Sequence, residues 1–233
     1  VAIGYNAMGG GSGTTAINGT VAIGRSALGG LHSGTGNVAV GSQAGATLTT
    51  GASNIALGMN ALLDMTEGSR NIAIGHGAIG GSLDTTADAS EDNIMIGYNT
   101  GGGTWATAVS SYNIGIGNYT MDAAMNGANG NVGMGFSSMG ILTEGDYNTA
   151  MGHLAGDVLT TGTNNTIIGS YADPSANSAT NQIVIGNYAC GVADNSVTLG
   201  NDNVTAVYMA EDSGATVHCA AVTEGSALRI KKN

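Results

Sequence analysis

The chain has 233 residues, with forty-one glycines, one proline (Pro174), 9% charged residues and a formal charge of −11. Low charge and scarce proline argue against a disordered tail, and glycine without a Gly-X-Y period argues against collagen. The acidic body argues against a nucleic-acid partner: three of its five basic residues, Arg229, Lys231 and Lys232, crowd the last five positions.

In chain order, the opening VAIGYNA already holds the unit that organises the sequence. It returns as NVAVGSQAG (Asn37–Gly45) and NIALGMNAL (Asn54–Leu62), seventeen residues apart. Aligned on the glycine, the series is Gly4, Gly24, Gly41, Gly58, Gly75, Gly97, Gly117, Gly135, Gly152, Gly169, Gly186 and Gly200, with spacings of 20, 17, 17, 17, 22, 20, 18, 17, 17, 17 and 14. Seventeen is the base period, and longer spacings are insertions. The residue before each glycine is a large aliphatic, from Ile3 to Leu199, and two residues earlier stands a β-branched residue, from Val1 to Val197. Alternate β-branched positions predict a short strand in each coil. The residue between them is usually small (Ala39, Ala73, Gly133). Both strand faces are then apolar or small, which predicts burial on both sides, as in parallel sheets. The small residue implies that something approaches closely on its face.

Eight strands are headed by Asn: Asn37, Asn54, Asn71, Asn93, Asn113, Asn131, Asn148 and Asn165. Amides stacked at ~4.8 Å predict a hydrogen-bonded ladder that needs no ligand. The glycine suits a backbone conformation closed to other residues. Three residues on, Ala27, Ala44, Ala61, Ala78, Ala155, Ala172 and Ala189 predict a second short strand or turn. The whole reads as an all-β, parallel β-roll (β-solenoid) of about twelve 17-residue coils, a rod on the order of 55 Å long.

Three insertions interrupt the period. GGGSGTTAINGT (Gly9–Thr20) is bland; GGSLDTTADASED (Gly80–Asp92) holds Asp84, Asp88, Glu91 and Asp92; GGGTWATAVSSY (Gly101–Tyr112) holds the only Trp. Insertions of solenoids project as loops. The last two are neighbours, so Asp88, Glu91, Asp92, Trp105 and Tyr112 form a candidate receptor site, weighed against tolerated, solvated loops. The carboxylates lack an EF-hand or nonapeptide calcium pattern. His76 and His153 follow coil glycines in a column shared with Tyr5, Arg25, Ser42, Asn118 and Ser170, which reads as surface, so no metal is expected. No nucleophile elbow or HExxH is present, and carboxylates fall in turns and insertions, so no enzyme activity and no cofactor are expected. Asn18, Asn118, Asn164 and Asn203 match the glycosylation acceptor pattern, which Asn-rich turns generate by chance. No apolar run approaches the ~20 residues of a membrane span. After Gly200 the text changes to a β-rich neck or cap over 201–233. Cys190 and Cys219 are free, paired together or paired across subunits.

The twelvefold Asn-x-Ala-Ile/Val-Gly-x-x-Ala pattern over residues 1–200 resembles the head repeat of YadA-like trimeric autotransporter adhesins. It is still more similar to the longer-period repeats of bacteriophage tail fibres, where turns such as LTTGASN and LTTGTNN separate coils. The adhesin repeat has about fourteen residues per coil rather than seventeen, and Gln182 and Ser196 replace Asn in the last coils. The resemblance implies a left-handed roll and a side-by-side or intertwined homotrimer, with the alanine face at the subunit contact. It also implies a fibre shaft, on a virion or bacterial surface, that presents a tip to a host glycan or protein receptor. A trimeric autotransporter adhesin and a self-assembling extracellular filament are the alternatives, and a depolymerase on the same scaffold would need carboxylates converging in a groove.

Overall fold

Three residues per coil are extended, because β-branched or large aliphatic side chains at alternate positions favour the pleated backbone. A computed structural model describes residues 1–10, 18–81, 89–105 and 108–207. The strands are β1 (Ala2–Ile3), β2 (Val21–Ile23), β3 (Val38–Val40), β4 (Ile55–Leu57), β5 (Ile72–Ile74), β6 (Ile94–Ile96), β7 (Ile114–Ile116), β8 (Val132–Met134), β9 (Thr149–Met151), β10 (Thr166–Ile168), β11 (Ile183–Ile185) and β12 (Val197–Leu199). They form one twelve-stranded sheet in chain order. Every pair is parallel and in register, as in Val38↔Ile55 and Ala39↔Ala56. The fold is a β-solenoid, and residues Val1–Asn203 make one compact unit. Most of the expected neck, 201–233, lies outside the described residues, with Asp84, Asp88, His218 and Cys219.

Outside the strands the coils still stack in register. Leu28 N–H donates to the Ala44 carbonyl at 2.9 Å, and Thr49 N–H to that of Thr66 at 2.8 Å. The residues at the Ala column form turns rather than a second strand. Each regular coil is bent by left-handed backbone at three columns. Two residues after the glycine stand Asn60 (φ 58°), Tyr119 (58°) and Leu154 (54°); four after stand Leu28 (48°), Leu62 (54°) and Met139 (49°); before the ladder Asn stand Ser53 (59°), Arg70 (60°) and Tyr112 (63°). Such conformations cost non-glycine residues about 1 kcal/mol each. Inter-coil hydrogen bonds at the same positions offset that cost, as from Asn60 N–H to Ser42 (3.0 Å) and Leu62 N–H to Ala78 (2.9 Å).

The interior reverses one expectation. The small central strand residue (Ala22, Ala39, Ala73, Ala150) points into the roll and is fully buried. The flanking large residues point outward: Val40 is 38% exposed, Ile116 36%, Met151 40% and Ile185 38%. A seventeen-residue coil encloses a narrow space that is filled from its turns. Leu28, Leu62, Met121 and Met139 enter from one corner, and Leu31, Leu48, Met65, Met125, Leu142 and Leu159 from another, leaving the strand room for a small residue only. Volumes compensate between coils. Where the strand centre is Gly115, the sulfur of Met95 lies within 2.6 Å of where a Cβ would stand. Where a turn has Gly156, the strand centre is Ile167, whose Cδ1 lies 3.2 Å from the corresponding point.

The buried amides are satisfied in series. Each ladder Asn after Asn37 donates from Nδ2 to Oδ1 of the Asn one coil before, as from Asn131 to Asn113 (3.0 Å) and Asn148 to Asn131 (3.0 Å). Each also donates to a backbone carbonyl, as from Asn131 to Gly145 (2.8 Å). The same Oδ1 accepts the next backbone N–H, from Asn148 N to Asn131 at 2.9 Å. The series ends where Gln182 N–H caps Asn165 Oδ1 at 2.9 Å, while its own longer amide turns to Ser175 and Asp194.

Candidate functional site

The proposed receptor cluster does not assemble as expected. Trp105 is 0% exposed, and its indole Nε1 donates to the Gly101 carbonyl at 3.0 Å. The insertion places it at the corner that Leu48, Met65 and Met125 fill in other coils, and its bulk closes the core there. Glu91 and Asp92 are gathered by Arg70. Its Nε and Nη2 donate to the two Asp92 oxygens at 2.7 and 2.8 Å, and Nη2 also reaches Glu91. The pair holds the Asp92 carboxyl below the usual carboxylate range, chiefly through the Arg70 hydrogen bond. Being exposed, it contributes little to stability. Tyr112 is exposed, and its N–H donates to the Glu91 carbonyl at 3.2 Å. Asp88 lies outside the described residues. Among those described, no three His, Cys, Asp or Glu converge on a metal-sized site.

Two other surfaces emerge. The first is the outward strand face, an in-register ribbon of Val, Ile, Leu, Met and Thr from β1 to β12. Two residues wide and eleven steps long, it covers on the order of 350 Å², within the range of the largest apolar patch on a typical monomer, a patch that is often functional.

The second is an aromatic ladder just beyond the strand glycines. His76, Tyr98, Tyr119, Phe136, His153, Tyr171 and Tyr188 succeed one another over seven coils, with ring centroids 4.7 to 5.7 Å apart. The His column read as plain surface is part of this stack. The ladder was hidden because rings alternate between the first and second residue after the glycine, as with Phe136 and Tyr119. Aromatics at either position in every coil from Gly75 to Gly186 were the available signal.

Asp122 and Asp157 lie beside Tyr119 of the ladder, and Asp173 neighbours Asp157. Asp122 is pushed up by burial, against a hydrogen bond from Gly102. Asp173 is raised to about 6, by burial first and then by the charge of Asp157 one coil before. A carboxyl raised in the folded state binds its proton more tightly there than when unfolded. Its favourable contribution is therefore complete below about pH 4 and lost as pH rises to about 6. Asp157→Asn is expected to raise the melting temperature at pH 7.5 and to reduce the gain seen on acidifying to pH 5. Melts of both proteins at the two pH values check this, and an unchanged pH difference would contradict it.

No protein-family model, curated protein or solved structure matches this chain.

Proposed function

We propose that the chain is a structural segment of an extracellular fibre, a shaft in which the aliphatic ribbons of three copies pack together. The observation that carries this reading is the ribbon itself: apolar but for Thr149 and Thr166, and in register along all twelve strands. Hydrophobic burial favours covering it by about 25 cal/mol per Å², and a like copy offers a matching repeat with no mismatch of rise. Rigidity comes from the coil-to-coil hydrogen bonds and the amide ladder. Trypsin resistance follows from the scarcity of Lys and Arg, with only Arg25 and Arg70 before residue 229. The shaft holds a receptor-binding tip away from a phage particle.

Charging the ribbon tests the contact. Ile116→Lys with Met151→Lys is expected to reduce the solution mass to that of one chain while the β-sheet circular dichroism persists; an unchanged mass would place the contact elsewhere. Place of action is tested by electron microscopy with antibody fragments against the roll. Decoration along a virion fibre supports the shaft, decoration of a bacterial envelope transfers the reading to a surface adhesin, and decoration of neither overturns both.

A further inference from the structure

We propose that the aromatic ladder and the depression beside Tyr119 form a binding groove for an uncharged polysaccharide running along the roll. Tyr119 is the ring that ladder neighbours do not stack flat upon: it meets Tyr98 at 71° and Phe136 at 72°, whereas those two stack on His76 (14°) and His153 (15°). Next to it opens a depression of about 220 Å³ lined by Tyr119, Asp122, Ser137, Gly140 and Asp157, among others. It exists because coil eight has Ser137 and Gly140 where the coils on either side carry Tyr119 with Asp122 and Leu154 with Asp157.

The chemistry selects the ligand. A π face takes the C–H face of a sugar ring, and carboxylates two coils apart accept hydroxyl hydrogen bonds on either side of it. A volume below that of drug-sized pockets suits one ring of a chain. The remaining exposed rings, Tyr98, Phe136, Tyr171 and Tyr188, have a face taken up in the stack and present their edges at one ring per coil, an apolar row along which a repeating polymer can lie. Charge excludes an anionic polymer: Asp122 and Asp157 flank Tyr119, and the only Lys or Arg before residue 229, Arg25 and Arg70, belong to coils two and four. A protein partner would leave these carboxylates facing it without cations of this chain to share them. The groove is a property of one roll and stands apart from the shaft reading.

The test is affinity electrophoresis of the whole chain through gels holding galactomannan, dextran, hydroxyethylcellulose or, as an anionic control, alginate, with solution mass and melting temperature measured alongside. At least one uncharged polymer is expected to retard the chain and alginate to leave it unaffected. Tyr119→Ala is expected to weaken the retardation about tenfold, and Tyr119→Phe, which keeps the π face, to retain it, both at unchanged mass. Failure of every uncharged polymer, or retardation insensitive to Tyr119→Ala, overturns the proposal. A changed mass in Tyr119→Ala also overturns it, because the ladder would then belong to a contact between copies of this chain. The shaft reading survives each of these results, since it is decided by the ribbon variant.

Discussion

Asn131→Ala is expected to cost about 4 kcal/mol of unfolding free energy, a large share of the 5–15 kcal/mol typical of a domain. The side chain sits in mid-ladder and is fully buried. Removing it strands the Asn148 backbone N–H and the Gly145 carbonyl, which it now serves at 2.9 and 2.8 Å, and takes from Asn148 Nδ2 one of its two acceptors, at 3.0 Å, leaving the Gly162 carbonyl. Each buried orphan costs about 1–3 kcal/mol. Asn131→Asp separates shape from hydrogen bonding. The carboxylate keeps the acceptor for Asn148 but points an anion at Asn113 Oδ1 and the Gly145 carbonyl, where donors are required. Its loss is therefore expected to match that of Ala at pH 7 and to shrink at pH 4, where the protonated acid donates once. Chemical denaturation of the three proteins at both pH values checks this, and a cost below about 1 kcal/mol for Ala would show that the ladder is not what holds the coils.

Gly152→Ala is expected to be at least as damaging. The strand-ending glycines Gly4 to Gly186 share a φ of 130° to 143°, a conformation other residues rarely take. Space is also closed: a Cβ on Gly152 would stand 2.4 Å from the Gly169 carbonyl oxygen and 2.6 Å from its carbon, both rigid backbone atoms of the next coil. Relief requires the coils to part, which breaks bonds such as Gly169 N–H to Met151 (2.9 Å). Gly36→Asn is the control. Its φ is 70°, which Asn tolerates, and the nearest atom to its Cβ is 3.6 Å away. A loss of more than about 4 kcal/mol at Gly152 with less than about 1 at Gly36 is expected from thermal and denaturant unfolding. Equal losses would mean that neither the φ of the column nor the closed space beside it sets these glycines apart.

The repeat, the strands and the Asn column were legible because each coil restates them, and identical neighbours at one spacing have one economical arrangement. Which strand face is inside was not legible. Alternation reports two faces, whereas the assignment depends on how far Leu28, Leu62 and Leu142 reach from the turns. The left-handed turns were equally hidden, since Tyr119, Leu154 and Met139 hold φ values near 50° through inter-coil hydrogen bonds rather than through propensity. Trp105 misled because an insertion was taken to project, while the corner it fills is set by the neighbouring coils.

The shaft proposal stands on copies of this chain covering the aliphatic ribbon. Light scattering of the unmodified chain, with and without reducing agent, tests it most directly. On the shaft proposal the mass is three times the 22.8 kDa of one chain, whether or not Cys190 is reduced, because ribbon contacts rather than a disulfide would join the copies. A stable mass of 22.8 kDa would leave the ribbon uncovered and contradict the shaft.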